Sequence, residues 1–254
     1  MATRDLRRKQ MADLIAKRRS VTMDELCQRF HVSMNTVRAD VAFLVQTGAV
    51  EKVYGGARSR AHQEVPLFTQ RTGLNPDAKA RIARYAEMLI RDRDTIFVDN
   101  GTTTMRLLDS LDPFKHVTVL TGNLHLVTQA YSKPNVELIV LPGVMNHRTN
   151  SVTDGSTLEF LGRYHCAKAF MGVSGVSDDG KLNVSSYIEY ELKKLAVRQS
   201  REAYLLVDSS KFGGSGLMSY GSLTDMDEVI TDGGCPAAIR SFCAENNIRL
   251  TVTE

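Results

Sequence analysis

The sequence predicts an α/β protein in two parts, a small helical domain ahead of a larger domain built on an open, mainly parallel sheet. Three observations predict it. Residues 1–60 hold 12 Lys/Arg against 6 Asp/Glu, whereas the rest of the 254-residue chain holds 20 against 23, so a net charge of only +3 conceals a basic front end. Two short helical patterns near that end are separated by the three residues His31-Val32-Ser33. From Asp77 onward short apolar runs alternate with helical patterns, as strands joined by crossover helices require. The length favours one small and one larger domain, and 43% hydrophobic residues suffice for packed cores.

Composition also narrows the function classes. No apolar run reaches the roughly 18 residues of a membrane span, and the N-terminus is basic and amphipathic without the apolar run of a secretory signal. The expectation is a cytoplasmic protein with no membrane partner. Cys27, Cys166, Cys235 and Cys243 lie far apart without C-x-x-C spacing, so they are expected to be reduced. His31, His62, His116, His125, His147 and His165 show neither H-x-H nor H-E-x-x-H spacing, so no metal and no cofactor is expected.

The N-terminal domain is expected over residues 1–58. Leu6, Met11, Leu14 and Ile15 recur at helical spacing between Asp5 and Lys17, with Arg7, Arg8 and Lys9 among them. Thr22-Met23-Asp24-Glu25 has the form of a capping box and opens a second helix, Met23 to Phe30. Ser33 then caps a third helix from Met34 to about Gln46, ended by Gly48. Two helices joined by a three-residue turn make a helix-turn-helix. On the third helix Val37, Val41 and Leu44 fall at i, i+4 and i+7 and face a core, leaving Asn35, Thr36, Arg38 and Ala39 outward near its start, the positions that enter a major groove. Asn35 and Arg38 can bond base edges in a bidentate manner, Thr36 can meet a thymine methyl or a phosphate, and Ser33 with the helix start can grip a phosphate. A strand around Val50, a turn at Tyr54-Gly55-Gly56 and the basic residues Lys52, Arg58 and Arg60 read as a wing on the backbone or minor groove. Basic charge on a helix can also be a solvated surface, and a three-helix module can bind protein instead.

Residues 59–76, polar and without periodicity, read as a linker anchored by Phe68 and Arg71. The larger domain, 77–254, is expected to run as helix 78–90, strand 95–98, helix 103–111, strand 117–120, helix 124–131 and strand 136–141. It continues as helix 158–164, strand 169–173, helix 186–199, strands 203–207 and 228–231, helix 237–245 and strand 249–252.

In such sheets ligands bind at the carboxyl ends of strands, and there the polar residues gather. Asp99-Asn100-Gly101-Thr102-Thr103-Thr104 follow one strand, where backbone N–H groups, a glycine and hydroxyls suit a phosphate. Thr121-Gly122-Asn123, Gly143, Ser174-Gly175-Val176 and Asp208-Ser209-Ser210-Lys211 follow others. Lys211 is a cation for a phosphate, with Asp99, Asn123 and Asp208 for sugar hydroxyls. Each has a plainer reading as well: Asp208 and Asn123 cap turns, Lys211 is solvated, and Glu189 with Lys193 is a surface i, i+4 pair unless one turns into the crevice.

The head, with Val32, Ser33, Thr36, Val37, Arg38 and Asp40 in a V-S-x-x-T-V-R-x-D pattern followed by Tyr54-Gly55-Gly56, resembles the winged helix-turn-helix of the DeoR family of bacterial transcription regulators. It departs at Ala39, where that family usually carries a second arginine. The body resembles the same family's effector domain at Asp99-x-Gly101-Thr102-Thr103, Thr121-x-Asn123, the glycines Gly172, Gly175 and Gly180, Glu189-x-Glu191-x-Lys193-Lys194 and Asp208-x-Ser210-Lys211-Phe212. Gly122 before Asn123 and Pro142-Gly143 in place of a glycine pair are departures beside the crevice. The resemblance implies a fold similar to ribose-5-phosphate isomerase, operator DNA and a phosphorylated sugar as partners, and a homo-oligomer, dimer or tetramer. It implies no catalytic residues.

Two functions fit these features. One is a regulator, a repressor of a carbohydrate-metabolism operon, whose effector contacts are Asp99, Gly101, Thr102, Thr103, Thr104, Asn123, Gly143, Gly175, Glu189, Lys193, Asp208 and Lys211. The other is a sugar-phosphate isomerase with an accessory head, for which Asp99, Asp208 or Glu189 would serve as general base. The basic head favours the regulator, because fold likeness to an isomerase says nothing of turnover.

Overall fold

A computed structural model describes residues 4–18, 20–46, 50–53, 55–59 and 67–254. The chain divides into two compact units, residues 1–64 and 65–254. The expected features at Gly48, Tyr54, Arg60 and Pro66 lie outside the described residues.

The first unit runs α1 (Arg4–Arg18), β1 (Ser20–Thr22), α2 (Met23–Phe30), α3 (Met34–Gln46), β2 (Val50–Val53) and β3 (Gly56–Ser59). The capping box forms: Thr22 Oγ1 accepts the Glu25 N–H at 3.1 Å, and the Glu25 carboxylate accepts the Thr22 N–H at 2.8 Å. His31 ends α2 in the left-handed region at φ 52° and turns the chain into α3. Met11 and Ile15 of α1, Leu26 of α2 and Val37, Val41 and Leu44 of α3 close a core with Val21 and Val50. The three strands pair antiparallel in the order β1-β3-β2. β1 was not foreseen, since three residues carry no period. It exists because the extended Thr22 cap continues backward into pairing with β3.

The second unit begins with α4 (Phe68–Thr72) and α5 (Pro76–Met88), then β4 (Thr95–Val98), a 3-10 turn at Thr104–Arg106, β5 (Val117–Thr121), α6 (Leu124–Ala130) and β6 (Val136–Val140). The short strands β7 (Met145–Asn146) and β8 (Ser151–Val152) precede α7 (Gly155–Leu161), β9 (Cys166–Met171), β10 (Gly175–Val176), β11 (Lys181–Val184) and α8 (Tyr187–Arg198). β12 (Ser200–Leu206), a 3-10 turn at Ser209–Lys211, β13 (Met218–Ser222), β14 (Glu228–Asp232), α9 (Ala237–Glu245) and β15 (Arg249–Thr253) complete it. A parallel seven-stranded sheet has the order β15-β14-β12-β9-β4-β5-β6.

The strand period of two divides the core. Ile96, Val98, Phe170, Leu206 and Ile230 pack on the side of α5 and α6, whereas Phe97, Ala169, Met171, Leu205 and Val229 pack on the side of α7, α8 and α9. The chain lays down β4, β5 and β6 outward in one direction, then returns to place β9 against the other side of β4 and builds outward again. The order therefore reverses between β4 and β9, the place where sheets of this kind bind ligands outside the carboxyl ends of their strands.

Three expectations need correction. Residues 103–111 do not form an α-helix. Thr104 Oγ1 donates back to the Asp99 carbonyl at 2.7 Å and the Gly101 carbonyl at 3.1 Å, which tightens the chain into a 3-10 turn while Leu107, Leu108 and Leu111 still bury. The later part of the segment read as linker is structured: α4 buries Phe68, and the Leu67 N–H is held by Gln70 Oε1 at 3.1 Å. A small antiparallel sheet, β10-β11-β13, and the β7-β8 pair were not foreseen, being two to five residues long and rich in Gly, Ser and Asn.

Candidate functional site

In the head the placement of α3 follows its period. Val37, Val41 and Leu44 are buried, while Asn35, Arg38 and Ala39 are exposed on the opposite side and Thr36 lies at the margin. Ser33 Oγ accepts the Thr36 N–H at 3.3 Å and stands 3.0 Å from the Thr36 hydroxyl, so these two side chains close the helix start. Asp40 is the residue whose role the sequence left unstated. It is 1% exposed, and its two oxygens take Arg7 Nε and Arg8 Nε, each at 2.8 Å, which ties α1 to the recognition helix. The Arg8 guanidinium also lies 3.9 Å above the Phe43 ring. Lys52 on β2 and Arg58 on β3 are exposed, with Glu51 at 3.8 Å from Arg58. Tyr54 lies outside the described residues.

In the second unit the residues after β4 and β9 meet at the switch point. Asp99, 3% exposed, accepts the Gly172 N–H at 3.0 Å and pairs with Lys193 Nζ at 2.5 Å. Lys193 also donates to the Gly172 carbonyl at 3.1 Å, as does the Tyr220 hydroxyl at 3.2 Å. Burial and the nearby Asp99 charge raise the Tyr220 phenol well above its ordinary pKa, so it stays a donor. Gly172 has to be glycine: a Cβ there would stand 2.8 Å from the Asp99 carboxylate. Of the two α8 charges, Lys193 is thus the one fully turned inward, and Glu189 is half-buried one turn before it.

Asn123 caps α6 by accepting the His125 N–H at 3.0 Å, and its amide reaches the Gly101 carbonyl at 3.4 Å. Thr102, Thr103 and Thr104 are buried in the loop, with the Thr104 hydroxyl committed to the backbone. Two expected glycines serve close backbone packing. Gly175 packs its backbone on Gly214 in the small sheet, where a Cβ would come within 2.6 Å of Gly214. Gly143, at φ 143°, turns an exposed loop where a Cβ would stand 2.8 Å from the backbone of Thr153 and Asp154.

Beside this group is a second, strongly cationic one. Asp208, 1% exposed, caps its turn by accepting from Ser210 and also accepts from the Asn75 amide at 2.8 Å. Lys211 ends the same turn. Lys79 of α5 is 2% exposed, and its ammonium donates to the Arg71 carbonyl at 2.6 Å. Burial lowers Lys79 to about 8; Asp208 opposes that shift, while Lys211, Arg71 and Arg106 add to it. Burial likewise lowers the Arg71 guanidinium, against the pull of Glu189 and Asp99. Arg106 Nε is buried without a hydrogen-bond partner among the described residues. Four cations thus gather here, with Asp208 acting on Lys79, Glu189 and Asp99 on Arg71, and the Asp109 carboxylate 3.8 Å from Arg106.

Arg71, Asn75, Lys79 and Arg106 were not among the residues expected here. A signal for one existed. Lys79 stands with Ile82, Ala83 and Ala86 at i, i+3, i+4 and i+7, a lysine on the apolar stripe of its helix. Arg71 and Asn75 lay in a segment read as linker, and Arg106 in a helix that did not form.

Among the described residues no helix is long and apolar enough to cross a membrane, and no three His, Cys, Asp or Glu side chains gather to hold a metal. The four cysteines are free thiols.

Comparison with known proteins matches residues 7–63 to the DeoR-like helix-turn-helix domain and residues 74–233 to the DeoR C terminal sensor domain. The HTH-type transcriptional regulator IolR of Bacillus subtilis is 38% identical over 96% of this chain and 97% of its own length. The glycerol-3-phosphate regulon repressor of Escherichia coli is 27% identical over 94% of each. Among solved structures, the translation initiation factor eIF-2B of Pyrococcus horikoshii aligns with 88% of this chain and 81% of its own at 15% identity and a TM-score of 0.45. Ribose 5-phosphate isomerase A of Methanocaldococcus jannaschii aligns with 54% and 55% at 19% identity and a TM-score of 0.39.

Proposed function

The chain belongs to the DeoR family, a DNA-binding transcription regulator and not an enzyme, and from that premise we propose that a phosphorylated sugar controls it through the crevice between β4 and β9. The observation that carries the reading is the buried Lys79 with three half-buried cations acting on it. Lys79 is almost wholly out of water among Arg71, Arg106 and Lys211, with Asp208 as the near carboxylate. Burial and like charges both disfavour the Lys79 ammonium, and an arriving anion would favour it. A phosphate dianion supplies it, held by Lys79, Lys211, Arg106 and Arg71. Asp99, Asn123, Glu189 and Asp208 then stand within the same crevice for sugar hydroxyls, with Lys193 orienting Asp99.

Arg71 also gives the ligand a route to the head. It lies in α4, whose Phe68 N–H bonds the Arg148 carbonyl at 2.9 Å and whose Arg71 carbonyl takes the Lys79 ammonium. An anion that draws in Arg71 and Lys79 fixes the element from which the chain runs back to the DNA-binding domain. The head acts as part of a homo-oligomer, since a helix-turn-helix reads paired half-sites as a dimer or higher assembly. The expected action is repression, as the names of the relatives state for some of them.

The test is DNA binding by the full-length protein to the region upstream of its own gene, with a panel of sugar phosphates and the matching free sugars. At least one phosphate is expected to change the affinity, and its dephosphorylated form is not. Lys211→Ala should remove that response and leave salt-dependent DNA binding intact, while Arg38→Ala should do the reverse. Insensitivity to every phosphorylated compound, or equal loss of both activities in Lys211→Ala, would overturn the reading.

A further inference from the structure

The recognition helix itself says what kind of base it reads. With Val37, Asp40, Val41 and Leu44 buried, the opposite ridge of α3 is Asn35, Ala39 and Ala42, at i, i+4 and i+7, all exposed. Arg38 flanks that ridge and is the single Lys or Arg in α3. Phe43, on the other flank, is covered by the Arg8 guanidinium at 3.9 Å, and Arg8 is in turn held by Asp40. The two α1 arginines nearest to this helix are therefore committed to the carboxylate of Asp40. The centre of the reading surface is one amide followed by two methyl groups.

Methyl groups on a groove-facing helix have one partner on the base edges: the C5-methyl of thymine. Small side chains also let the helix sit close to the floor of the groove, which brings the short Asn35 side chain within reach of a base edge. We propose that Ala39, with Ala42 behind it, reads thymine methyls in each operator half-site, so that this protein selects A·T pairs where an arginine at position 39 would select guanine. The inference rests on the DNA-binding role of the head and assigns the base read at its centre. Asn35 is suited to an adenine and Arg38 to a guanine beside that thymine.

The experiment uses duplexes selected by the full-length protein from a random DNA pool. Each selected half-site is expected to contain an invariant thymine, and replacing it by deoxyuridine, which removes only the methyl, should weaken binding about fourfold per methyl lost. Ala39→Gly should bind the thymine and deoxyuridine duplexes equally. The ratio of the two affinities is read within each variant, so a general loss of head stability does not imitate the effect. Should Ala39→Gly fail to bind at all, Ala39→Ser keeps the helix and should lower the same ratio toward one. Selection repeated with Ala39→Arg should enrich guanine at that position. Binding that is indifferent to deoxyuridine at every thymine of the half-site, or an undiminished thymine preference in Ala39→Gly, would overturn the proposal. General loss of DNA binding by the wild-type chain would instead strike at the role of the head.

Discussion

A buried charge stands at the centre of each unit, and the two are handled in opposite ways. In the head Asp40 is 1% exposed and is met oxygen by oxygen by two arginines at 2.8 Å, so its charge is answered inside the protein. In the body Lys79 is 2% exposed, its hydrogen bond goes to a neutral carbonyl, and the charges crowding it are mostly of its own sign. The first arrangement is closed and holds two helices in place. The second leaves Lys79 among mostly like charges, which the anion proposed above would answer. Burial alone marks neither as functional; the sign of what surrounds the buried group separates architecture from a binding site.

The largest way to break the comparison is Asp40→Ala. It leaves Arg7 and Arg8 side by side with no carboxylate, and removing one partner of a buried ionic cluster costs about 3 kcal/mol. Since both arginines keep some contact with water, at 19% and 11% side-chain exposure, the cost should not exceed that. Thermal unfolding should show the head melting earlier, DNA binding should fall with it, and sugar-phosphate binding by the body should be unchanged. An unaltered melting profile would remove Asp40 as the link between α1 and α3.

Lys79→Met tests the other side. Because burial and the neighbouring cations disfavour the Lys79 ammonium, replacing it by an apolar chain of similar length should raise the melting temperature of the effector-free protein. Effector affinity should nevertheless drop about 100-fold, as loss of a buried charge partner to an anion does. A variant that is destabilised and still responds fully would mean that Lys79 serves the fold.

The pH dependence sharpens the same point with a smaller effect. Lys79 is lowered to about 8 in the folded protein against an ordinary 10.5. Between those values the unfolded chain holds a proton that the folded chain has released, so effector-free stability should rise with pH through that window and be flat, for this group, below it. Effector affinity should move the opposite way. It should fall about tenfold from pH 7 to pH 9 as the ammonium is lost, since a phosphate monoester is already dianionic there. Calorimetric titration across that range checks the slope, which Lys79→Met should abolish.

The same contrast explains what could be read from the sequence. The α3 core positions sit on local patterns, a heptad-like spacing and a capping serine, so α2 and α3 were legible, whereas the role of Asp40 was not, since its two arginines lie 32 and 33 positions away. Asp99 and Lys193 were legible as candidates, because one follows an apolar strand and the other shares a charged helix. Their pairing was not, since it spans 94 positions and depends on β9 returning beside β4. Arg71 and Asn75 were hidden for a different reason. α4 is five residues long, too short to show a period, and Asn75 enters α5 from the left-handed region at φ 48°. Gly143 and Gly175 serve close backbone packing, a role a glycine at a strand end can take as readily as that of serving a ligand.

The smallest expected effect concerns the wing, where two cations differ in their surroundings. Lys52 and Arg58 are both exposed, but Arg58 has the Glu51 carboxylate 3.8 Å away on the paired strand. Exposed pairs of that kind are worth little to stability, yet the carboxylate is a standing competitor for any phosphate that Arg58 approaches. Lys52→Ala should therefore weaken binding to specific and random duplexes alike and lower the dependence of log affinity on log salt by about one unit. Arg58→Ala should lower it by less, and Glu51→Gln should bring the Arg58 contribution up toward that of Lys52. Binding measured at several salt concentrations distinguishes the three. If Arg58→Ala flattens the slope as much as Lys52→Ala does, the neighbouring carboxylate has no hold on it, and internal compensation of charge on the wing is without consequence for DNA.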